Sequence, residues 1–271
     1  MPVQKNSKII HVVAHAGYAA RGVIYLIIGG MAGLAAFGHG GATTDSRGAL
    51  GELLGAPFGK LMLAAVALGL LCYATWRALQ AIVDADGHGT DAKGLAIRGG
   101  LAVSAFTHIG LAFFAVSLLF GWGAGSRTGE SGDGSGQEWT AWLLSQPFGP
   151  WLVAGVGVVI AGVGFAHFFK AWEAGFEKYF IMSERERAVF SPICRFGLAA
   201  RGVVFLIIGG FLMVAAIQHD SSEARGLSGV LQALQQQSFG NFLLAILAFG
   251  LLAFAAYSLI EARYRTISVD G

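Results

Sequence analysis

In 271 residues only 13% are charged and 55% are hydrophobic. That is about half the charge of an ordinary soluble domain and too little polar surface to coat a water-soluble globule. A net charge of +2 gives no basic face for nucleic acid, and two distant cysteines, Cys72 and Cys194, supply neither a CxxC pair nor a disulfide framework.

The chain opens on a short polar stretch carrying Lys5 and Lys8. An apolar run over 18–37 follows, longer than the apolar core of a signal peptide, and it reads as a retained span. A short amphipathic segment, 50–54, and the turn Ala56-Pro57-Phe58-Gly59 lead into a second run, 61–81, ending near Thr75-Trp76-Arg77. The loop over 84–91 has His88 but neither EF-hand nor zinc spacing, so it reads as solvated. The third run, 100–120, carries His108 and is followed by a glycine-rich stretch over 121–136. Amphipathic 139–144 and Gln146-Pro147-Phe148-Gly149 precede the fourth run, 151–169, with His167 near its end. The fifth run covers 198–217; amphipathic 227–234 and Gln237-Ser238-Phe239-Gly240 precede the sixth, 242–260, at whose end stands Glu261.

Each run is about 20 residues, enough for a helix to cross a hydrocarbon core of about 30 Å. Only helix satisfies every backbone N–H and C=O inside such a run. Setting aside Arg21 and Arg201 inside spans, one side of the membrane would hold twelve Lys and Arg and the other four, Arg47, Lys60, Arg127 and Arg225. The excess predicts a multi-pass protein of the cytoplasmic membrane with both termini in the cytoplasm. Tryptophans agree, all falling near helix ends or in loops.

The sequence repeats. Gly17-Tyr-Ala19-Ala-Arg21-Gly22 returns as Gly197-Leu-Ala199-Ala-Arg201-Gly202 and, more weakly, as Gly100-Leu-Ala102-Val-Ser104. The Phe-Gly turns give a second anchor in register with the first. The reading is an all-α polytopic membrane protein: six transmembrane helices as three parallel two-helix repeats, 1–92, 93–190 and 191–271, with pseudo-threefold symmetry about the membrane normal.

With these motifs the chain resembles, over nearly its whole length, a bacterial membrane family known as a domain of unknown function, DUF1206. The resemblance implies repeated two-helix units with a Gly-x-Ala-x-Arg-Gly start and implies no activity. The second repeat departs from that start at Ser104.

Repeat equivalence sets Arg21, Ser104 and Arg201 at one level, with Tyr25, His108 and Phe205 one turn further on. Two readings stand for the arginines. They snorkel to the interface as anchors, or they face the axis with Ser104, Tyr25 and His108 as a polar cluster suited to a small anion or lipid phosphate. His108 and His167 lie at unequal depths, which argues against a heme. No GxSxG, HExxH or Gly-Lys-Ser/Thr motif occurs, so neither enzyme activity nor a cofactor is expected. The segment 170–187, from Lys170 to Arg187, alternates aromatic and charged residues. It is expected to extend the fourth span or lie on the inner leaflet, and is the candidate contact for a protein partner in the alternative reading as a membrane scaffold.

Overall fold

The computed structural model describes residues 2–122 and 132–267. In chain order it forms α1 (Pro2–Ala36), α2 (Ser46–Gly55), α3 (Gly59–Ile82), α4 (Ala92–Phe120), α5 (Gly132–Leu144), α6 (Gly149–Glu173), α7 (Glu184–Gln218), α8 (Leu227–Gln235) and α9 (Gly240–Tyr264), with no strand among the described residues. Helices α1, α3, α4, α6, α7 and α9 are long and apolar enough to cross a membrane. Most of the glycine-rich stretch over 121–136, with Arg127, lies outside the described residues, as does the Lys5 side chain.

The long helices run beyond their apolar cores on the side of the chain termini because polar signals start them there. Asp91 caps α4 by accepting the Gly94 N–H at 2.9 Å. Ser183 and Glu186 cap α7 reciprocally as a capping box. On the opposite side the short helices α2, α5 and α8 each precede a second long helix. At the Phe-Gly turn between them, a Cβ on Gly59, Gly149 or Gly240 would collide with backbone carbonyls five and six residues earlier. Phe58 and Phe148, which follow proline, take left-handed φ values of 59° and 61°. Phe239, which follows Ser238, does not. All three rings are exposed, as interfacial aromatics are.

The long helices pack in the order α4, α3, α1, α9, α7, α6. Three of these contacts are equivalent junctions between repeats: α4 on α3, α7 on α6 and, closing the circle, α1 on α9. Small residues bring the backbones together at each. A Cβ on Gly29 would lie 2.9 Å from the Leu252 nitrogen, and one on Gly209 would lie 3.0 Å from the Ala161 nitrogen. At the corresponding place α4 buries Ala112 against the core. Two junctions are further tied by the basic residue that opens the next repeat. Arg98 donates to the Ala81 and Ile82 carbonyls at 2.8 and 3.0 Å, and Arg195 to the Ala171 and Trp172 carbonyls at 2.8 and 3.1 Å. Each covers carbonyls at or beside a helix C-terminus that would otherwise lack partners.

The pseudo-threefold arrangement departs from symmetry in the pairing of helices within repeats. Repeats 1 and 3 close their own helix pairs, α1 on α3 and α7 on α9, whereas α4 and α6 of repeat 2 share no packed interface. The cause is legible in the side chains. Ala20 fits against Gly69, and Ala200 against Gly250, with no room for a Cβ on either glycine. In repeat 2 the corresponding pair is Val103 and Val159, both exposed. Likewise a Cβ on Gly17 would overlap the Tyr73 backbone and one on Gly197 the Phe254 backbone, while around Gly100 nothing lies within 4 Å. The ring of six helices is open between α4 and α6.

Candidate functional site

The second long helix of each repeat presents an inward stripe, counted from its Phe-Gly turn. In α3 it is Tyr73, Arg77 and Gln80; in α6, Val163, His167 and Lys170; in α9, Phe254, Ser258 and Glu261. The spacing i, i+4, i+7 keeps each set on one helical face. Toward these stripes the first helices project the residues marked by the repeat: Arg21 and Tyr25 from α1, Ser104 and His108 from α4, Arg201 and Phe205 from α7.

Arg21 is buried and fully engaged. Its Nε donates to Ser258 Oγ at 3.0 Å, one terminal nitrogen to the Tyr73 hydroxyl and the other to Glu261 in an ion pair. Glu261 also receives Arg265 Nη1 at 3.0 Å, and Arg265 Nη2 reaches Asp86 at 2.8 Å. Gln80 bridges the remainder, accepting from Arg77 at 2.8 Å and donating to Asp86 at 2.6 Å. Lys170 donates to the Tyr257 hydroxyl at 3.0 Å, and Trp76 to Tyr18 at 2.9 Å. This network joins α1, α3, α6, α9 and the 84–91 loop across the side that holds the termini. Buried charges persist only when paired and bonded in this manner.

Arg201, at the equivalent position of repeat 3, has a different environment. Its guanidinium lies over the rings of Phe254, Phe205 and Tyr25, 4.5, 5.1 and 5.3 Å from their centroids. Its Nε is buried without a hydrogen-bond partner, and among the described residues no carboxylate pairs with it. It lines a cavity of about 200 Å³ that runs along α7 past Val204 and Ile208. At the far end stand Asp45 and Asp133, beside the starts of α2 and α8. Both carboxylates accept backbone N–H groups there: Asp45 from Arg47 and Gly48, Asp133 from Gly226.

The five residues of the expected polar cluster are thus distributed as follows. Arg21 and Arg201 share Phe254, with centroid distances of 5.1 and 4.5 Å, and Tyr25 packs edge-on against that ring at 4.7 Å. His108 meets the Tyr73 ring at 4.5 Å, and Tyr73 bonds Arg21. Ser104 touches His108 through its backbone, accepting Nδ1 at 2.7 Å, so this nitrogen carries the proton. His167 donates likewise to Val163 at 2.9 Å and packs on Phe205.

The sequence reading missed Glu261, Tyr73, Gln80 and Lys170 as one constellation. Carrying the repeat alignment from the Phe-Gly turn through the second helices would have set Gln80, Lys170 and Glu261 in register.

The 170–187 segment is not one amphipathic helix. α6 ends at Glu173, Ala174 takes a left-handed φ of 51°, and a turn of 3-10 helix covers Glu177–Tyr179. Phe176 and Phe180 fold inward against Tyr257, leaving Trp172 and Ile181 exposed. In the 84–91 loop, Asp84 accepts the Gly89 and His88 N–H groups at 2.7 and 2.8 Å, which hold its carboxyl below the usual carboxylate range. No cluster of His, Cys, Asp and Glu suited to a metal occurs among the described residues.

The family model described as Domain of Unknown Function, DUF1206, matches three regions, 16–84, 99–174 and 196–265. An uncharacterized protein, YxxB, of Bacillus subtilis (strain 168) is 36% identical over 257 residues, covering 92% of this chain and 89% of that protein. No solved structure matches the chain.

Proposed function

The chain belongs to the DUF1206 family, and we propose that it is a non-catalytic protein of the cytoplasmic membrane that binds an anionic group at Arg201, inside its helix bundle. The observation that carries this reading is the contrast between two equivalent arginines. Arg21 is neutralised by Glu261, while Arg201 lies against the rings of Tyr25, Phe205 and Phe254 and forms an ion pair with no carboxylate among the described residues, Asp45 and Asp133 standing at the other end of its cavity. An unpaired cation among apolar groups within a membrane span is costly. A bound phosphate or carboxylate would supply the missing charge and accept from the guanidinium in bidentate fashion. The reading is of binding rather than chemistry because ring faces surround the guanidinium. The excess of Lys and Arg on the terminal side supports placing both termini in the cytoplasm. A scaffold role through the 170–187 segment is the weaker reading, since Phe176 and Phe180 are occupied in the protein's own packing.

The test is the thermal unfolding midpoint of the detergent-solubilised protein, titrated with inorganic phosphate and with dodecyl phosphate. Ligand that binds the folded state raises the midpoint in a saturable way. The expected result is such a rise with at least one of the two, weakened about tenfold or more in apparent affinity in Arg201→Gln. No rise with either, or equal rises in wild type and variant, would overturn the reading.

A further inference from the structure

We infer that the anionic group held at Arg201 is the headgroup of a phospholipid, which reaches it sideways through the opening between α4 and α6. The inference rests on the reading of Arg201 as an anion site and adds the source and route of its occupant. Three observations select a lipid over a dissolved anion.

The first is the opening itself. Every other neighbouring pair in the ring of six helices is packed, and this pair is not. Val103 and Val159 stand where repeats 1 and 3 have the close-fitting pairs Ala20/Gly69 and Ala200/Gly250, and both valines are exposed. Elsewhere on their exposed faces α4 and α6 carry Phe106 and Phe165, apolar surface suited to acyl chains.

The second is the state of the axial routes. On the terminal side the way is filled by the buried network of Arg21, Tyr73, Glu261 and Arg265, together with Tyr18 and Trp76. From the other side an anion must pass Asp45 and Asp133, which share the cavity with Arg201 and repel it. A lipid already in the bilayer meets neither obstacle.

The third is depth and charge at the opening. Arg201 lies three residues inside the span expected to begin at 198, about 5 Å by helical rise. A headgroup at the leaflet boundary needs to sink by no more than one helical turn. His167 of α6 packs on the Phe205 ring that the Arg201 guanidinium also covers, His108 of α4 packs on the Tyr73 ring, and all three side chains are half-buried. With Nδ1 bonded to a carbonyl, the second nitrogen of each neutral imidazole is an acceptor. A phospholipid whose headgroup carries hydroxyls, such as phosphatidylglycerol, matches an arginine for its phosphate and imidazole acceptors for its hydroxyls.

The experiment is native mass spectrometry of protein taken from vesicles of equal parts phosphatidylglycerol and phosphatidylcholine. Wild type is compared with Arg201→Gln, Arg201→Lys and the double variant Val103→Ala/Val159→Gly. The double variant restores the small-residue pair of the other repeats and leaves Arg201 in place. Wild type should retain one phosphatidylglycerol in preference to phosphatidylcholine. Arg201→Gln should lose it about tenfold or more. Arg201→Lys, which keeps the charge, should retain a measurable share, showing that the site and not folding is responsible. The double variant should retain several-fold less than wild type because the opening is narrowed. Equal retention of both lipids, or undiminished retention in Arg201→Gln or in the double variant, would overturn the inference. A lipid-free dimer would also overturn it and assign the opening to a second copy. If Arg201-dependent binding of inorganic phosphate is found without retained phosphatidylglycerol, the lipid inference falls and the anion site stands. If neither binds, both fall.

Discussion

Arg21 and Arg201 occupy the same repeat position, yet among the described residues one is held in an ion pair and the other is not. The difference lies in α9, which both side chains approach. Glu261 is within reach of Arg21 and Arg265 and receives both, whereas Arg201 meets the same helix about two turns earlier, at the ring of Phe254. Removing the carboxylate of Glu261 would leave the buried Arg21 guanidinium without its counterion and Arg265 with Asp86 alone. Glu261→Gln is therefore expected to lower stability by about 3–5 kcal/mol, measured as reversible unfolding in mixed micelles. Arg21→Ala should cost a similar amount, since it leaves Glu261 with Arg265 alone. Arg201→Ala breaks no ion pair among the described residues, and its lost ring contacts are offset by removal of an unpaired charge. Its stability should remain within about 1 kcal/mol of wild type. A cost for Arg201→Ala equal to that of Arg21→Ala would contradict the assignment of different roles.

The helices themselves were largely legible in the sequence, because a bilayer span is fixed by length and apolarity and a local pattern suffices to read it. The runs at 61–81 and 151–169 fall inside α3 and α6. The amphipathic segments at 50–54, 139–144 and 227–234 fall inside α2, α5 and α8. Hydropathy misses the polar extensions, such as the start of α7 at Glu184, although its Ser183-x-x-Glu186 cap is readable. The Arg21 network was not legible, since its partners lie up to 240 positions apart and meet only through the α1–α9 junction. Nor was the missing α4–α6 contact, which depends on pairing Val103 with Val159 across a helix pair. Glycines at the first repeat anchor give an element-scale test, because one substitution can be made in three equivalent surroundings. Gly17→Ala and Gly197→Ala would force a Cβ into the backbone of α3 and α9, at a cost of about 1–3 kcal/mol. Gly100→Ala meets nothing within 4 Å and should gain up to about 1 kcal/mol from helix propensity. The same unfolding assay reads all three. A loss at Gly100 equal to that at Gly17 would mean that α4 and α6 pack as the other pairs do.

At the scale of the molecule, the ring is built from three equivalent junctions between repeats but only two closed pairs within them. The junctions are sufficient to hold the bundle, since α4 is carried by α3 and α6 by α7. The second repeat is thereby free to leave its two helices apart while its loop still reaches across, α5 packing against α2 and α8 on the capped side. This arrangement can be measured with paired cysteines in a Cys72→Ala/Cys194→Ala background. A disulfide requires Cα atoms within about 7 Å. Ala20→Cys/Gly69→Cys and Ala200→Cys/Gly250→Cys place the cysteines where side chain and backbone already touch, so oxidation or a short bifunctional reagent should join them in the membrane. Val103→Cys/Val159→Cys lies on the open pair and should remain unjoined under the same conditions. A long flexible reagent should bridge it, which distinguishes separation from burial. If the short reagent joins the Val103/Val159 pair as readily as the other two, the ring is closed in the membrane and lipid has no lateral path to Arg201.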